Sequence, residues 1–324
     1  MEIKILSVDF KIVRVLDSAI YLSYTECFKR AGDFKMRVPF STELYKSLLP
    51  PARILVENLI FNVEMIEVEN GVISVTGLGI FDEFSHMSIT SPFLGVATPC
   101  STIARLASTA SFEGTSYVYY GLTEVSSEVI KRLDWCSDYA SVITGIFEDY
   151  NLGYRMIYND QTNELEFHLR QNIDKVYNAE ERVIISDQTQ DYELLKATLD
   201  IRNYKNRVEV AQWYIAHAHL YTQAYDRSDG ERVRQISVPA QIPAENEEQL
   251  FAGFKTIADR TFQEYSAKEI YRVRILKDKG IRVGDICALE CLALDFGKGA
   301  VVASREVKYE NGTREEILIM EIDK

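Results

Sequence analysis

Residues 62–78, NVEMIEVENGVISVTGL, decide the fold class of this 324-residue chain. Apolar and polar side chains alternate on both sides of Asn70-Gly71, and a period of two is typical of a strand with one buried face. Asn-Gly accepts positive φ at both positions of a two-residue loop, as a tight β-hairpin requires. The stretch therefore predicts an antiparallel hairpin.

Further β-type segments lie on both sides of this hairpin. They are residues 2–8, 11–16, 19–28, 34–38, 154–158, 165–170, 193–225, 271–275 and 283–286. A final hairpin is predicted at Glu310-Asn311-Gly312, which repeats the Glu-Asn-Gly of residues 69–71. The repeat agrees with two related β domains, but chance explains one shared tripeptide equally well.

A first amphipathic helix follows the N-terminal strands. Its apolar stripe recurs at i, i+3, i+4, i+7, i+8 and i+11. The stripe consists of Tyr139, Val142, Ile143, Ile146, Phe147 and Tyr150. Ser137 is the predicted N-cap, and Gly153 stands where a left-handed C-terminal residue is expected.

A second helix is predicted from about Glu247 to Tyr265, with Asn246 and Gln249 at capping-box spacing. Its buried stripe consists of Leu250, Phe251, Phe254, Ile257, Ala258 and Phe262. One short helix is also expected in the Ser-, Thr-, Gly- and Pro-rich stretch 91–122. The elements together predict an α+β fold that is predominantly β.

The charge balance limits the partners that this chain attracts. It has 36 basic and 49 acidic residues, a net charge of −13, and 47% hydrophobic residues. Phosphate binding depends on Lys and Arg, so we expect no attraction to free nucleic acid and no sequence-specific nucleic-acid binding. The same charge also serves simply to keep a protein soluble.

The N-terminal sequence MEIKILSVDF carries charges within its apolar stretch, unlike a signal peptide. No window of the sequence has the length and apolar character of a membrane-spanning helix. We therefore expect synthesis in the cytoplasm and no membrane insertion.

Five cysteines are scattered along the sequence: Cys27, Cys100, Cys136, Cys287 and Cys291. An odd, irregular set argues against a disulfide framework and for folding in a reducing compartment. Cys287 and Cys291 share one face if residues 286–294 form a strand, which leaves a metal site possible. The alternative, which we favour, is a buried strand in which Cys acts as a small apolar residue.

The best metal candidate is His217-Ala218-His219, because positions i and i+2 of a strand lie on one face. The sequence places no third ligand, and two half-exposed strand residues are the alternative that we favour. The other histidines are His86 and His168. No phosphate-loop, nucleophile-elbow or zinc-protease motif is present. We therefore assign no catalytic, cofactor-binding or metal residue, and no cofactor.

Tyrosine is abundant, with 19 Tyr against 2 Trp. The clusters Tyr117-Val118-Tyr119-Tyr120 and 214–225 are suited to binding sugars or to packing at an interface. Ordinary β-sheet composition explains any single Tyr as well.

Several segments, in order, resemble one family: the tail-tip hub proteins of siphophages and related tail-like particles, chiefly of Gram-positive hosts. The matching segments are Ala31–Pro39 (AGDFKMRVP), the hairpin 60–79, residues 142–158, Asp200–Asn206 (DIRNYKN), the helix 247–265 and Val283–Ile286 (VGDI). Asn203 stands where the family usually has Asp. The series, more than any one motif, carries the resemblance, and it covers nearly the whole chain.

The resemblance implies two tube-like antiparallel β-barrel or sandwich domains, 1–95 and 196–324, the latter with the helix at about 247–265. A smaller α/β insert, 96–195, is expected between them. A trimer of such subunits presents a pseudo-six-fold ring that docks on a six-fold tail tube. The implied partners are the homotrimer itself, the tail tube and distal tail proteins, and a spike, fibre or tape-measure protein.

The implied function is that of a non-enzymatic baseplate hub in a virion or tail-like particle. An acidic lumen would let DNA pass without adhering. Some family members continue into a wall-degrading domain, whereas this sequence stops at Lys324, so such activity is expected from another chain.

Two other functions stay open. One is a tail protein that binds host cell-wall carbohydrate, suggested by the Tyr content. The other is a tail-associated hydrolase that uses His217 and His219 or paired carboxylates.

Overall fold

A computed structural model gives the structure of the protein. It describes residues 2–89, 97–110, 112, 114–123, 125–127, 137–174, 183–186, 188–214, 219–230, 232–244, 246–291 and 296–322, with backbone alone at 174, 214, 291 and 296. The chain divides into two compact units, Met1–Lys196 with Tyr271–Lys324, and Ala197–Ile270. Within the described ranges, no helix is both long and apolar enough to cross a membrane.

Most of the described chain is β-strand. The strands are β1 (Ile3–Leu6), β2 (Ile12–Leu16), β3 (Tyr21–Cys27), β4 (Asp33–Pro39), β5 (Arg53–Val56), β6 (Leu59–Glu69), β7 (Val72–Gly79), β8 (Ser116–Tyr120), β9 (Leu152–Asn159), β10 (Glu164–Gln171), β11 (Ile173–Asp174), β12 (Ile184–Ser186), β13 (Tyr192–Asp200), β14 (Arg207–Tyr214), β15 (His219–Asp226), β16 (Gln235–Pro239), β17 (Lys268–Ile275), β18 (Asp285–Cys291), β19 (Phe296–Glu310) and β20 (Thr313–Ile322). The helices are α1 (Thr42–Leu48), α2 (Pro99–Thr109), α3 (Tyr139–Tyr150), α4 (Glu247–Glu264) and a 3₁₀ helix (Ile80–His86).

Fourteen of the described strands form one sheet, which we call the main sheet. Its path runs β13-β17-β20-β19-β3-β4-β7-β6-β5-β1-β2, and β11 and β12 attach through β18, which pairs with β19. At the two ends of this path, β13 and β2 each have a single neighbour among the described strands. The predicted α+β, predominantly β class is therefore confirmed, with an open sheet rather than a closed barrel among the described strands.

The opening hairpin forms as its sequence predicts. Strands β6 and β7 pair antiparallel from Glu69↔Val72 to Phe61↔Gly79, with one irregularity of register between Val63 and Met65. Asn70 and Gly71 connect them with φ values of 51° and 75°. Beside β7, β4 alternates strictly between exposed and buried positions.

The N-terminal and C-terminal β segments share the main sheet. Strand β3 pairs antiparallel with β19, from Cys27↔Ser304 to Tyr21↔Glu310. Tyr24 and Val307 lie opposite each other on the buried side of the sheet. Both belong to one apolar cluster with Leu44 and Leu48 of α1. The compact units follow the strand pairing and therefore group the first and last β segments together. The predicted domains 1–95, 96–195 and 196–324 stay a prediction.

A smaller sheet in the middle of the sequence has the order β8-β10-β9. It packs with α2, α3 and the 3₁₀ helix around buried aromatic rings, such as Phe81, which stacks on Tyr154 with ring centroids 4.2 Å apart. Each such ring contributes roughly 1.5–3 kcal/mol by leaving water. The predicted strands around the turn at 159–164 are confirmed, as is the short helix expected within 91–122.

The predicted ends of α3 are wrong by one or two residues. The N-cap is Asp138 rather than Ser137, because the Asp138 carboxylate accepts from the Ser141 N–H at 2.7 Å. The left-handed C-cap is Asn151, with φ of 52°, rather than Gly153. Gly153 lies in β9, where a Cβ would come within 2.4 Å of the Phe28 carbonyl oxygen.

The unit Ala197–Ile270 packs α4 against the sheet β15-β14-β16. Its core holds Val208 and Val210 of β14 and Phe254 of α4. The predicted cap of α4 is confirmed, since the Asn246 side chain accepts from the Gln249 N–H at 2.9 Å. The predicted stripe is buried at Leu250, Phe254, Ala258 and Phe262.

We expect Gly284→Ala to lower the free energy of unfolding by about 2–4 kcal/mol. Gly284 has φ of 91°, and a Cβ there would lie 2.3 Å from Cε2 of the buried Phe28 ring. Urea unfolding measures the loss.

Gly312→Ala is the matched control for Gly284→Ala. Gly312 has φ of 79°, but nothing lies within 4 Å of its Cβ position. The free energy of unfolding of the control should therefore fall by about 1 kcal/mol, which is the cost of placing Ala at a positive φ. Equal losses in the two variants would contradict the crowding of Phe28.

Candidate functional site

One face of the main sheet carries polar and charged side chains, and we call it the open face. Strand register places Glu306 opposite Thr25 and Lys308 opposite Ser23, while the intervening Val307 lies on the buried side. A shallow groove of about 630 Å³ lies on this face. Its lining includes Ser23, Thr25, Asp33, Lys35, Glu64, Thr76 and Glu306.

Arginines that border the open face are paired with glutamates. Arg272 Nη2 donates to Glu306 Oε2 at 2.6 Å, and Arg274 Nε donates to Glu315 Oε1 at 2.6 Å. The hydrogen bonds to Glu315 and Glu193 raise the pKa of Arg274 above its usual range. These pairs neutralise two cations that would otherwise attract phosphate.

A second groove, of about 620 Å³, is built around Glu57. Glu57 lies in the turn between β5 and β6, with φ of 48°. Its carboxylate accepts from the Tyr24 hydroxyl at 2.6 Å and from the Tyr309 hydroxyl, and Arg314 Nη2 lies 3.4 Å away. We call these four residues the Glu57 cluster.

The Glu57 cluster sets the protonation of its members. Burial alone would raise the pKa of Glu57, but the two tyrosine hydroxyls and Arg314 outweigh it and lower that pKa. Burial raises the pKa of Tyr24 well above its usual range, and the hydrogen bond to Glu57 adds a smaller increase in the same direction. The cluster is thus an ionised carboxylate with neutral phenols, and it ties β3 to the β19–β20 hairpin.

Sequence reasoning missed this cluster. Glu57-Asn58 could have been recognised as a turn, since Asn accepts positive φ. The convergence of residues from positions 24, 57, 309 and 314 depends on tertiary pairing that no local pattern encodes.

Only one member of the predicted histidine pair lies among the described residues. His217 lies outside the described residues, and His219 packs edge-on against Tyr221 with ring centroids 4.6 Å apart. His168 stacks on Tyr120 at 4.5 Å and lies 2.6 Å from a Glu166 oxygen. Among the described residues, no three His, Cys, Asp or Glu side chains converge to hold a metal ion.

The cysteines lie in the apolar interior wherever their side chains are described. Cys27, Cys100 and Cys287 are buried, and burial raises the pKa of the Cys27 thiol. The favoured interpretation of Cys287 as an apolar residue of a buried strand is confirmed. The Cys291 side chain and all of Cys136 lie outside the described set.

The tyrosine clusters mostly pack into cores. Tyr117 and Tyr119 lie against the core of the smaller sheet, whereas Tyr120 is 46% exposed. Tyr225 donates to the Phe251 carbonyl oxygen at 3.3 Å, and the Tyr221 ring meets the Phe251 ring edge-on. Ordinary sheet packing accounts for these residues.

Comparison with solved structures covers almost the entire chain. The prophage tail protein gp18 from Listeria monocytogenes EGD-e aligns with a TM-score of 0.57 at 12% identity, over 98% of this chain and 94% of that one. The tail protein from Neisseria meningitidis MC58 aligns with a TM-score of 0.61 at 11% identity, over 99% and 96%.

The fold is that of phage tail proteins.

The same fold extends to the E. coli c3393 protein, with a TM-score of 0.52 at 7% identity, over 95% of this chain and 74% of that one. That protein is described as a component of the type VI secretion system with structural similarity to T4 bacteriophage tail proteins gp27 and gp5. No protein-family model matches the sequence. No curated protein matches it either. The expected resemblance to phage tail proteins is thus confirmed at the level of the fold.

We expect Glu57→Gln to lower stability at pH 7, because the amide cannot replace an ionised acceptor of two hydroxyls. The lowered pKa of Glu57 means that the wild-type carboxylate stabilises the fold above its unfolded-state pKa. That contribution is lost as the pH falls through the folded-state pKa, so the two proteins should converge in acid. Urea unfolding across pH 3–7 measures the difference.

Glu43→Gln is the control for this experiment. Glu43 lies 3.2 Å from Arg14, but its side chain is 85% exposed. Such a surface pair, and a charge in the first turn of α1, contribute little, so the control should lose much less stability than Glu57→Gln at pH 7. A pH-independent effect of Glu57→Gln would contradict the ionised cluster.

Proposed function

We propose that this protein is a structural hub at the distal end of a phage tail or tail-like particle. In this proposal it forms a trimeric ring that joins the tail tube to the tip or spike, and it has no enzymatic role. The observation that carries the proposal is the fold shared with phage tail proteins over 94–96% of their length. The likeness of c3393, itself similar to gp27 and gp5, supports the same assignment.

The form of the main sheet supports a ring. Its path ends in two strands without a second neighbour among the described residues, so one subunit alone leaves its backbone pairing incomplete. Closed-ring assembly of three subunits, each with two β segments, matches a six-fold tube. The tail tube, distal tail proteins and a spike, fibre or tape-measure protein are the partners in this proposal.

We assign the open face to the channel of the ring. This face is polar, and its arginines at 272 and 274 are neutralised by glutamates. A chain with a net charge of −13 can then guide DNA without retaining it.

The test is the mass of the purified protein in solution. Light scattering should give a value near three times the chain mass of 37.1 kDa, and electron microscopy should show rings. Particles of the parent phage, labelled with antibody to this protein, should carry the label at the tail tip.

Two results would contradict the hub. One is a protein that stays monomeric at high concentration and leaves particles unlabelled. The other is binding to purified cell wall by the monomer, which would favour the carbohydrate-binding function instead.

A further inference from the structure

The unit Ala197–Ile270 has an unprotected sheet edge at β15. This strand pairs with β14 on one side, and among the described strands it has no neighbour on the other. Natural edge strands are usually protected by Lys, by Pro or by a covering element. Residues 219–225 contain no Lys, Arg, Asp, Glu, Pro or Gly, and six of the eight residues of β15 are exposed. The outer backbone of β15 is thus open to a further strand.

The other strands at the ends of the described sheets are charged or short. Strands β2, β9 and β13 each contain at least one charged residue. Strands β8 and β16 have five residues each, and β16 ends at Pro239. Only β15 therefore combines length, exposure and a long uncharged run among these end strands.

An apolar pair marks the beginning of this edge. Trp213 of β14 lies opposite Leu220 of β15, and the two residues are 58% and 50% exposed. They lie on the face of the sheet turned away from α4, because the alternate positions Val208 and Val210 are buried with α4. Trp is usually well covered in folded proteins, so its exposure beside Leu220 indicates a surface that another chain covers.

The rest of the edge presents no obstacle to pairing. Thr222 and Ala224 follow Leu220 on the same face, and both are small and exposed. The first charged residue, Asp226, is already paired with Arg207 at 3.9 Å and accepts from the Ser228 N–H at 2.8 Å. The uncharged run 219–225 has seven residues, which span roughly 23 Å as a strand.

The backbone of β15 specifies the chemistry of its partner. N–H and C=O groups alternate along an open edge, and only another extended chain satisfies the whole row. A strand added here would place alternate side chains beside Leu220, Thr222 and Ala224. The best fit is an uncharged segment with an apolar side chain beside Leu220, where it extends the apolar surface of Trp213.

A second copy of β15 is a poorer occupant. Two identical strands that pair with each other form an isologous contact about a two-fold axis. A ring of three subunits cannot pair every copy in this way, so at least one edge stays open. The occupant therefore comes from a different protein of the particle.

We propose that β15 binds an extended segment of a partner protein by β-strand addition. The segment contributes about seven residues, without charge, and its apolar side chain packs beside Leu220 and Trp213. This inference rests on the proposed hub function, because the partner must belong to the tail or its tip. It adds to that function a docking edge in the unit Ala197–Ile270.

Hydrogen–deuterium exchange of the peptide that covers residues 219–226 tests the pairing. In the purified trimer, the β15 amides that point away from β14 should exchange rapidly. In assembled particles they should exchange roughly tenfold more slowly, the change that one added hydrogen bond supplies. The peptide that covers β14 is the internal control, because β14 already has β15 and β16 on its two sides.

Lysines on this edge should block the added strand, as they do on natural edge strands. The variant is Thr222→Lys combined with Ala224→Lys, at two exposed positions of β15. We expect it to stay folded by circular dichroism and trimeric by light scattering, but to be lost from assembled particles. Immunoblotting of particles assembled with the variant in place of wild type measures the loss.

The matched control makes the same two changes on α4. Thr256→Lys combined with Ala252→Lys alters exposed residues of the same unit, on a helix that offers no open backbone edge. This control should be trimeric and should enter particles as well as wild type.

The outcomes separate this inference from the proposed function. Slow exchange of β15 in particles alone, with loss of the edge variant and incorporation of the control, supports strand addition. Equal exchange of β15 in both samples, or an edge variant that enters particles like its control, overturns strand addition and leaves the trimeric hub intact. A wild-type protein that is monomeric and absent from particles overturns the hub and this inference with it.

Two further results would overturn the proposed edge while sparing the hub. One is a purified trimer in which β15 is already protected, because the edge would then be covered by this chain itself. The other is binding of the trimer to purified cell wall that Trp213→Ala abolishes, with unchanged exchange at β15, which would assign the Trp213 surface to a glycan.

Discussion

The pairing of β3 with β19 is the constraint on which the rest of this structure depends. It brings Tyr24 and Val307 together in one apolar cluster and makes the first and last β segments parts of the same sheet. The Glu57 cluster strengthens the same junction, because its carboxylate accepts from hydroxyls on both strands. Without this pairing the main sheet would fall into two separate sheets with two more open edges.

The buried side of the sheet also organises the middle of the sequence. Phe10, in a left-handed conformation with φ of 61°, is buried against Tyr158 of β9, with ring centroids 5.2 Å apart. Arg53 lies over the same ring at 4.4 Å and forms a 3.0 Å ion pair with Glu83. The buried Arg53 side chain thus holds the loop that joins β1 to β2, and with it the position of β2 at the end of the main sheet.

Local sequence patterns were sufficient to predict individual strands and helices. Alternation predicted β4, Asn-Gly dipeptides predicted both hairpins, and helical periodicity predicted α3 and α4. The predicted N-terminus of α3 was wrong because Asp138 and Ser137 are equally good N-caps by residue type. The predicted C-terminus was wrong because Gly153 is needed to make room for Phe28, not to end the helix. The shared sheet and the Glu57 cluster join residues far apart in sequence, which no window of the sequence reveals.

The separation of the paired strands has a consequence for biosynthesis. Cys27 and Ser304 face each other across β3 and β19 although they are 277 positions apart in the sequence (304 − 27). Contacts this distant form late, because the loop must close before the pairing stabilises it. During synthesis, β3 can therefore pair early with β4 but cannot pair with β19 until residues 304–310 have emerged from the ribosome. A chain truncated before β19 therefore leaves that side of β3 without its partner strand.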